Sequence, residues 1–240
     1  MKNKGTVWII IIVLFVAVAS VMVPSLKTQP QDVEQLYTAA MSDSVFAEAD
    51  EIYPLVTITE NGKVTWDENK ERVLLLSWHN APQFYPDGED VCFDDYEMWT
   101  FTDKEIKEWY KTEGKKAKDM ELRFEQLIGL PKEKEYTHFS ALWVNPEDVI
   151  RPAYITDITA QMEIAPDKVK QDEQYSEWFD QNILWSYFDS SYPWTRLGYT
   201  YDWSGESDEY RLTEFLVKPG AKMTVEFTKT TEEFIQWLAE

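Results

Sequence analysis

Cysteine and histidine are nearly absent: one Cys, Cys92, and two His, His79 and His138, in 240 residues. A single cysteine excludes an intramolecular disulfide, so the fold must be held by its core. The same scarcity leaves no HExxH or CxxC spacing, and with it no basis for a zinc centre. Basic residues are also few: 23 Lys and Arg stand against 44 Asp and Glu, a net charge of −21. A surface of that sign repels phosphate backbones and argues against a nucleic-acid partner. No internal repeat and no low-complexity tract occurs. Aromatic surface, by contrast, is plentiful, with 11 Trp and 13 Tyr. An apolar share of 44% excludes a disordered chain.

Lys2 and Lys4 precede an uncharged run of 18 residues, Thr6 to Val23, closed by Pro24. Two readings fit. Ala17 and Ala19 supply the small residues of a signal-peptidase site. Alternatively, 18 residues in a helix just span a bilayer core, which makes residues 6–23 an uncleaved membrane anchor. In both, the lysines stay on the cytoplasmic side and the remainder is extracytoplasmic. The chain thus divides into a signal peptide or anchor at 1–23, a spacer with a short amphipathic helix at 24–50, and one globular domain at 51–240.

Val33, Leu36, Tyr37, Ala40 and Met41 have helical spacing and predict a helix over 31–42. Leu55–Thr59 and Lys63–Trp66 around Asn61-Gly62 predict a hairpin. The run RVLLLSW at 72–78 reads as a central strand, and Met98–Phe101 and Phe139–Val144 as further strands. Thr102 with Glu105 forms a capping box before a helix carrying Ile106, Trp109 and Tyr110. A second stripe, Ala117 to Ile128, ends at Gly129 and Pro131. Residues 172–188 predict a mostly buried helix. A second hairpin is expected from Tyr210–Val217 and Lys222–Phe227, turning at Pro219-Gly220, before a last helix capped by Thr230 and Glu233. Hairpins and helices without βαβ alternation predict an α+β fold: a mainly antiparallel sheet with packed helices, preceded by one N-terminal apolar helix.

Three segments carry a resemblance: Leu127–Pro131 (LIGLP), Leu142–Pro152 (LWVNPEDVIRP) and Tyr192–Trp203 (YPWTRLGYTYDW), with Thr213-Glu214-Phe215 near the end. Their order and spacing resemble a group of exported bacterial proteins to which no activity is assigned. The likeness runs over about residues 55–230. It implies export and a single domain, and supplies no catalytic residues. Members often place a cysteine after the Arg-Pro pair, where this chain has Ala153.

Two places suit a ligand. In Pro193–Trp203, Trp194, Tyr199 and Tyr201 offer stacking area and Arg196 and Asp202 an ion pair, which together suit a sugar or peptide. The competing reading is a strand whose Leu197, Tyr199 and Tyr201 line the core, with Arg196 and Asp202 tying down a neighbouring loop. The loop after RVLLLSW offers His79, Asn80 and Tyr85, with His79 as a general base or a loop anchor. Cys92, between Val91 and Phe93, reads as a small buried thiol. The acidic clusters Asp87–Glu97 and Asp202–Glu209 leave room for a surface calcium ion, although Ser207 stands where an EF-hand requires glycine. No other cofactor is expected. The leading function is a non-catalytic domain binding a ligand or partner in the cell envelope. The alternatives are an envelope hydrolase using carboxylates or His79, and a structural or accessory protein.

Overall fold

The apolar run at 72–78 becomes β1 (Val73–His79), the middle strand of a seven-stranded sheet in a computed structural model of the chain. The structure describes residues 32–59, 62–132, 134–189, 192–205 and 208–240. The apolar segment 6–23, whether signal peptide or anchor, and the spacer to residue 31 lie outside them. Among the described residues no helix is long and apolar enough to cross a membrane. Residues Asp32–Glu240 form one compact unit.

β1 is flanked by β4 (His138–Val144) and β3 (Met98–Thr102). Beyond β4 lie β9 (Lys222–Thr230) and β2 (Asp90–Cys92); beyond β3 lie β8 (Phe215–Val217) and β5 (Val149–Ile150). Every pairing is antiparallel, so the fold class is α+β as expected. A separate two-stranded ribbon joins β6 (Tyr199–Tyr201) to β7 (Tyr210–Thr213).

The period of two along β1 serves two cores. Val73 and Leu75 join Met98, Leu142, Val144, Phe215, Val217, Met223 and Val225 on one face. Leu74, Leu76 and Trp78 face the other way. There they pack on α2 (Asp103–Thr112), α3 (Met120–Leu127) and α6 (Thr231–Ala239) through Ile106, Trp109, Phe124, Leu127, Phe234 and Leu238. A bulge on β9 at Glu226 shifts the register between Ala141 and Leu142 and brings Phe227 to the helix face. Thr102 caps α2 by accepting from Glu105 N, but the expected box stays half-closed because the Glu105 carboxylate takes Thr102 Oγ1 and Thr213 instead. Asp119 accepts from Leu122 N, and Thr230 with Glu233 closes a full capping box on α6.

The expected helix over 31–42 is α1 (Val33–Asp43), capped by Asp32. It packs on the domain: Tyr37 meets Trp203 edge-on at 5.2 Å and Asp43 accepts from Tyr201 Oη. Between β5 and β6 lie α4 (Pro166–Val169) and α5 (Glu173–Leu184), the latter running into a π-helical turn, Trp185–Asp189. The helix expected over 172–188 is less buried than its composition suggests. Phe179 is in the core, but Leu184, Trp185 and Phe188 are exposed.

Both expected hairpins are corrected. Leu55–Thr59 does not pair with Lys63–Trp66 as a ladder, because its amides are taken elsewhere. Leu55 N donates to Gln161 Oε1, Val56 N to Thr213 Oγ1 and Ile58 N to Ile158 O. Lys63–Trp66 turns back onto β1 instead, through the Trp66–Val73 bridge. Pro219-Gly220 does turn the chain, with Gly220 at φ +78°, but β8 and β9 lie four strands apart in the sheet. Five residue steps reach at most about 18 Å, and four spacings on a flat sheet need about 19 Å. The sheet therefore curls, and Ala221 of the connection joins the core on its inner face.

Candidate functional site

The aromatic segment 192–203 is divided between scaffold and pocket wall. A regular strand is restricted to β6, because Arg196 and Gly198 both take positive φ, +59° and +82°. The expected ion pair between Arg196 and Asp202 does not form, since that backbone removes the shared strand face. Arg196 Nη2 donates to the carbonyls of Ser44 and Val45 at 2.6 and 2.9 Å, tying down the chain after α1. Asp202 is chelated by Arg123, through both guanidinium nitrogens, and by Arg211 Nε at 2.7 Å, and also accepts from Ser204 N. Tyr199 is buried and donates to Glu51 O. Arg196, Tyr199 and Asp202 thus belong to the fold's interior. So does Arg151, whose guanidinium donates to the carbonyls of Val56, Asp157, Ile158 and Ala160. Burial pulls its pKa down to about 10.

Four of the eight sequence candidates do converge. His79, Tyr85, Trp194 and Tyr201 line one pocket of about 300 Å³. β1 contributes Trp78 and His79, and the stretch leading into β3 contributes Tyr96, Glu97 and Trp99. After α3, Gly129 at φ +71° turns the chain so that Gly129-Leu130 forms another wall. Trp185 of the π-helical turn stacks on Tyr192 with ring centroids 5.1 Å apart. Trp194 stands edge-on to Trp99 at 6.3 Å, its indole N–H held by Pro152 O. Asn80 is exposed and does not line the pocket.

Most polar groups in these walls are committed. His79 Nδ1 accepts from Ala81 N at 3.2 Å, which places the proton on Nε2, toward Ser140 Oγ at 2.8 Å. The ring stacks on Tyr85 at 4.2 Å. Burial, with a smaller push from His138, lowers the His79 pKa to about 4, so the ring is neutral at pH 7 with no free lone pair. It anchors the loop. Glu97 Oε1 accepts from Trp178 Nε1, Tyr201 Oη donates to Asp43, and Tyr192 Oη is held by Lys134 Nζ.

Two solvent-sealed polar atoms in these walls have no partner among the described residues. Glu214 sits between β7 and β8, where the chain leaves the ribbon for the large sheet, its amide on Gly198 O. Its carboxyl lines the pocket, and among the described residues nothing donates to it; Oε2 is sealed from solvent. Burial pushes its pKa well up, and no neighbouring charge contributes. Glu105 is as deeply buried, with its pKa raised to about 7 by burial, but it accepts from Thr102 and from both Thr213 N and Oγ1. Trp78 Nε1, also in the pocket wall, is buried without a partner among the described residues. Sequence reasoning passed over Glu214. Its one signal was a lone acid inside the apolar run from Leu212 to Val217.

Cys92 is exposed rather than buried, because the alternation of edge strand β2 turns Val91 inward and Cys92 outward. The acids of the first cluster are dispersed: Asp87 accepts from Thr228 N and Asp90 from Thr224 Oγ1. Among the described residues no three His, Cys, Asp or Glu converge as metal ligands. No protein-family model matches the chain, and no curated protein or solved structure matches it significantly.

Proposed function

We propose that this chain is an exported, non-catalytic domain that binds a ligand of the cell envelope in the aromatic pocket. The observation that carries the reading is the pocket itself. Aromatic faces from four separate parts of the chain meet around a cavity of about 300 Å³, at the lower end of the range for small-molecule sites. The lysine-flanked apolar run at 6–23 supports export, either as a cleaved signal or as an anchor.

Catalysis is the weaker reading on three counts. His79 has both ring nitrogens engaged and cannot take a proton from a substrate without breaking one bond. Asp202 is neutralised by two arginines. Glycan hydrolysis needs two carboxyl groups facing one bond, and the second acid in this pocket wall, Glu97, is held by Trp178 Nε1.

The test uses the full chain in detergent, screened by tryptophan fluorescence and thermal shift against small envelope metabolites and cell-wall fragments. A saturable shift that Trp194→Ala or Trp99→Ala abolishes supports the pocket. Turnover of any cell-wall substrate that Glu214→Gln removes would overturn the non-catalytic reading. Mass measurement of the mature chain separates anchor from signal peptide: an intact Met1 terminus means anchor, and a terminus after Ala19 means cleavage.

A further inference from the structure

We infer that the pocket takes an organic ammonium ion, with Glu214 as its counter-ion and the aromatic walls enclosing its alkyl groups. This rests on the pocket being a binding site and adds the chemical class of what binds. An acid buried without a donor is costly, because the group loses water and gains nothing in return. Among the described residues no Lys or Arg lines the pocket, and the cation at its rim, Lys134, is taken by Tyr192 Oη. Yet elsewhere the protein partners its buried acids, Asp202 with two arginines and Glu105 with two threonines. The missing partner for Glu214 is therefore one that arrives from outside.

The walls point to the same chemistry. Trp and Tyr faces attract cations through the ring quadrupole, most strongly where water is excluded. The rim already shows this: Lys134 Nζ lies 5.0 Å from the Tyr192 ring centroid and 5.6 Å from that of Tyr136, both pocket residues. An anion would meet an acid in the wall and a net charge of −21 outside it. Trp78 Nε1, the other solvent-sealed atom in the wall without a partner among the described residues, is a donor and calls for an acceptor on the ligand. An alkylated ammonium carrying a hydroxyl or carbonyl oxygen satisfies both. A bound cation also favours the ionised form of Glu214, so uptake at neutral pH carries the release of a proton.

The experiment compares choline with its uncharged carbon isostere, 3,3-dimethylbutan-1-ol, on the full chain by calorimetry. Choline should bind at least about tenfold more tightly than the isostere. Glu214→Gln should remove that preference while leaving the weak binding of the isostere unchanged. Equal binding of the two would overturn the cation inference and leave the pocket reading standing. Retention of the preference in Glu214→Gln would overturn the role of Glu214. If neither compound binds, the cation inference falls, and the wider ligand screen then decides the pocket separately. Glu214→Gln is expected to be at least as stable as the parent, so lost affinity would not be lost folding.

Discussion

Asp202 and Glu214 lie 12 residues apart on either side of β7, the first buried and the second half-buried with one carboxylate oxygen sealed from solvent, and the fold treats them in opposite ways. Around Asp202 everything is paired: two arginines and a backbone amide meet one carboxylate, and Arg123 also lies on the Trp109 ring at 5.1 Å. The Glu214 carboxyl has no donor among the described residues. The first arrangement holds α3, β6 and β7 in register and has no capacity left for a ligand. The second stores an unmet interaction in the wall of a cavity. A buried charge by itself therefore says little about function; its state of pairing says more.

The largest effect should come from breaking the paired region. Asp202→Ala leaves Arg123 and Arg211 facing each other without their counter-ion, and removing one partner of a buried charge cluster costs about 3–5 kcal/mol. Urea denaturation should show that loss at neutral pH. A change below about 1 kcal/mol would mean that the cluster is solvated and that the contrast with Glu214 is false.

Gly198→Ala tests the backbone that joins the two regions, since Gly198 O accepts the amide of Glu214. A Cβ there would lie 2.6 Å from Arg151 Cδ, and the residue has φ +82°. Strain and collision with a tethered arginine together should cost about 2–3 kcal/mol. Thermal unfolding should register it, and affinity for any pocket ligand should fall with it.

Glu214→Gln should act in the opposite direction. Its pKa is raised in the folded state, so the folded protein holds a proton that the unfolded chain has released. Stability therefore falls as pH rises above the unfolded pKa and through the folded one. Replacing the acid by the amide removes that fall. We expect a gain of about 1–2 kcal/mol at pH 8 and close to none at pH 4, read from denaturation curves at the two pH values. Equal behaviour at both would show that Glu214 is paired in solution.

Much of this frame was legible in the sequence, for physical reasons that also explain where legibility ended. β1 was readable because its run of apolar residues suits burial on both faces, α2 and α6 because Thr102 and Thr230 cap them locally, and α3 because its apolar stripe stops at Gly129. Local signals failed where distant partners took the same hydrogen bonds. Leu55–Thr59 does not pair with Lys63–Trp66, since the amides of Leu55 and Val56 belong to Gln161 and Thr213. Pro219-Gly220 turns the chain but sends it across a curled sheet rather than back along β8. In the aromatic segment the composition was visible, but the left-handed Arg196 was not, and it dissolves the ion pair that strand geometry implied. Of that segment only Trp194 and Tyr201 reach the pocket among the residues singled out. Glu214 had little to betray it, because an acid between Thr213 and Phe215 looks like the outer face of a strand until the strand is seen to switch sheets.

His79 offers the smallest effect and the finest probe, because it lines the same pocket with the opposite pH slope. Its pKa is depressed to about 4 by burial, so the unfolded chain binds a proton that the folded protein refuses. Stability is thus fully present above the unfolded value near 6.5 and is lost as pH falls toward 4. The ring is partly exposed, so screening reduces the loss to about 1 kcal/mol. His79→Gln should flatten this acid limb while leaving the alkaline limb of Glu214 intact, and Glu214→Gln should do the reverse. Independent limbs in the two variants, and their sum in the double variant, would mean that the groups share a cavity without touching. A non-additive double variant would instead place the imidazole within reach of the carboxyl, and the acid would then have a partner inside the protein.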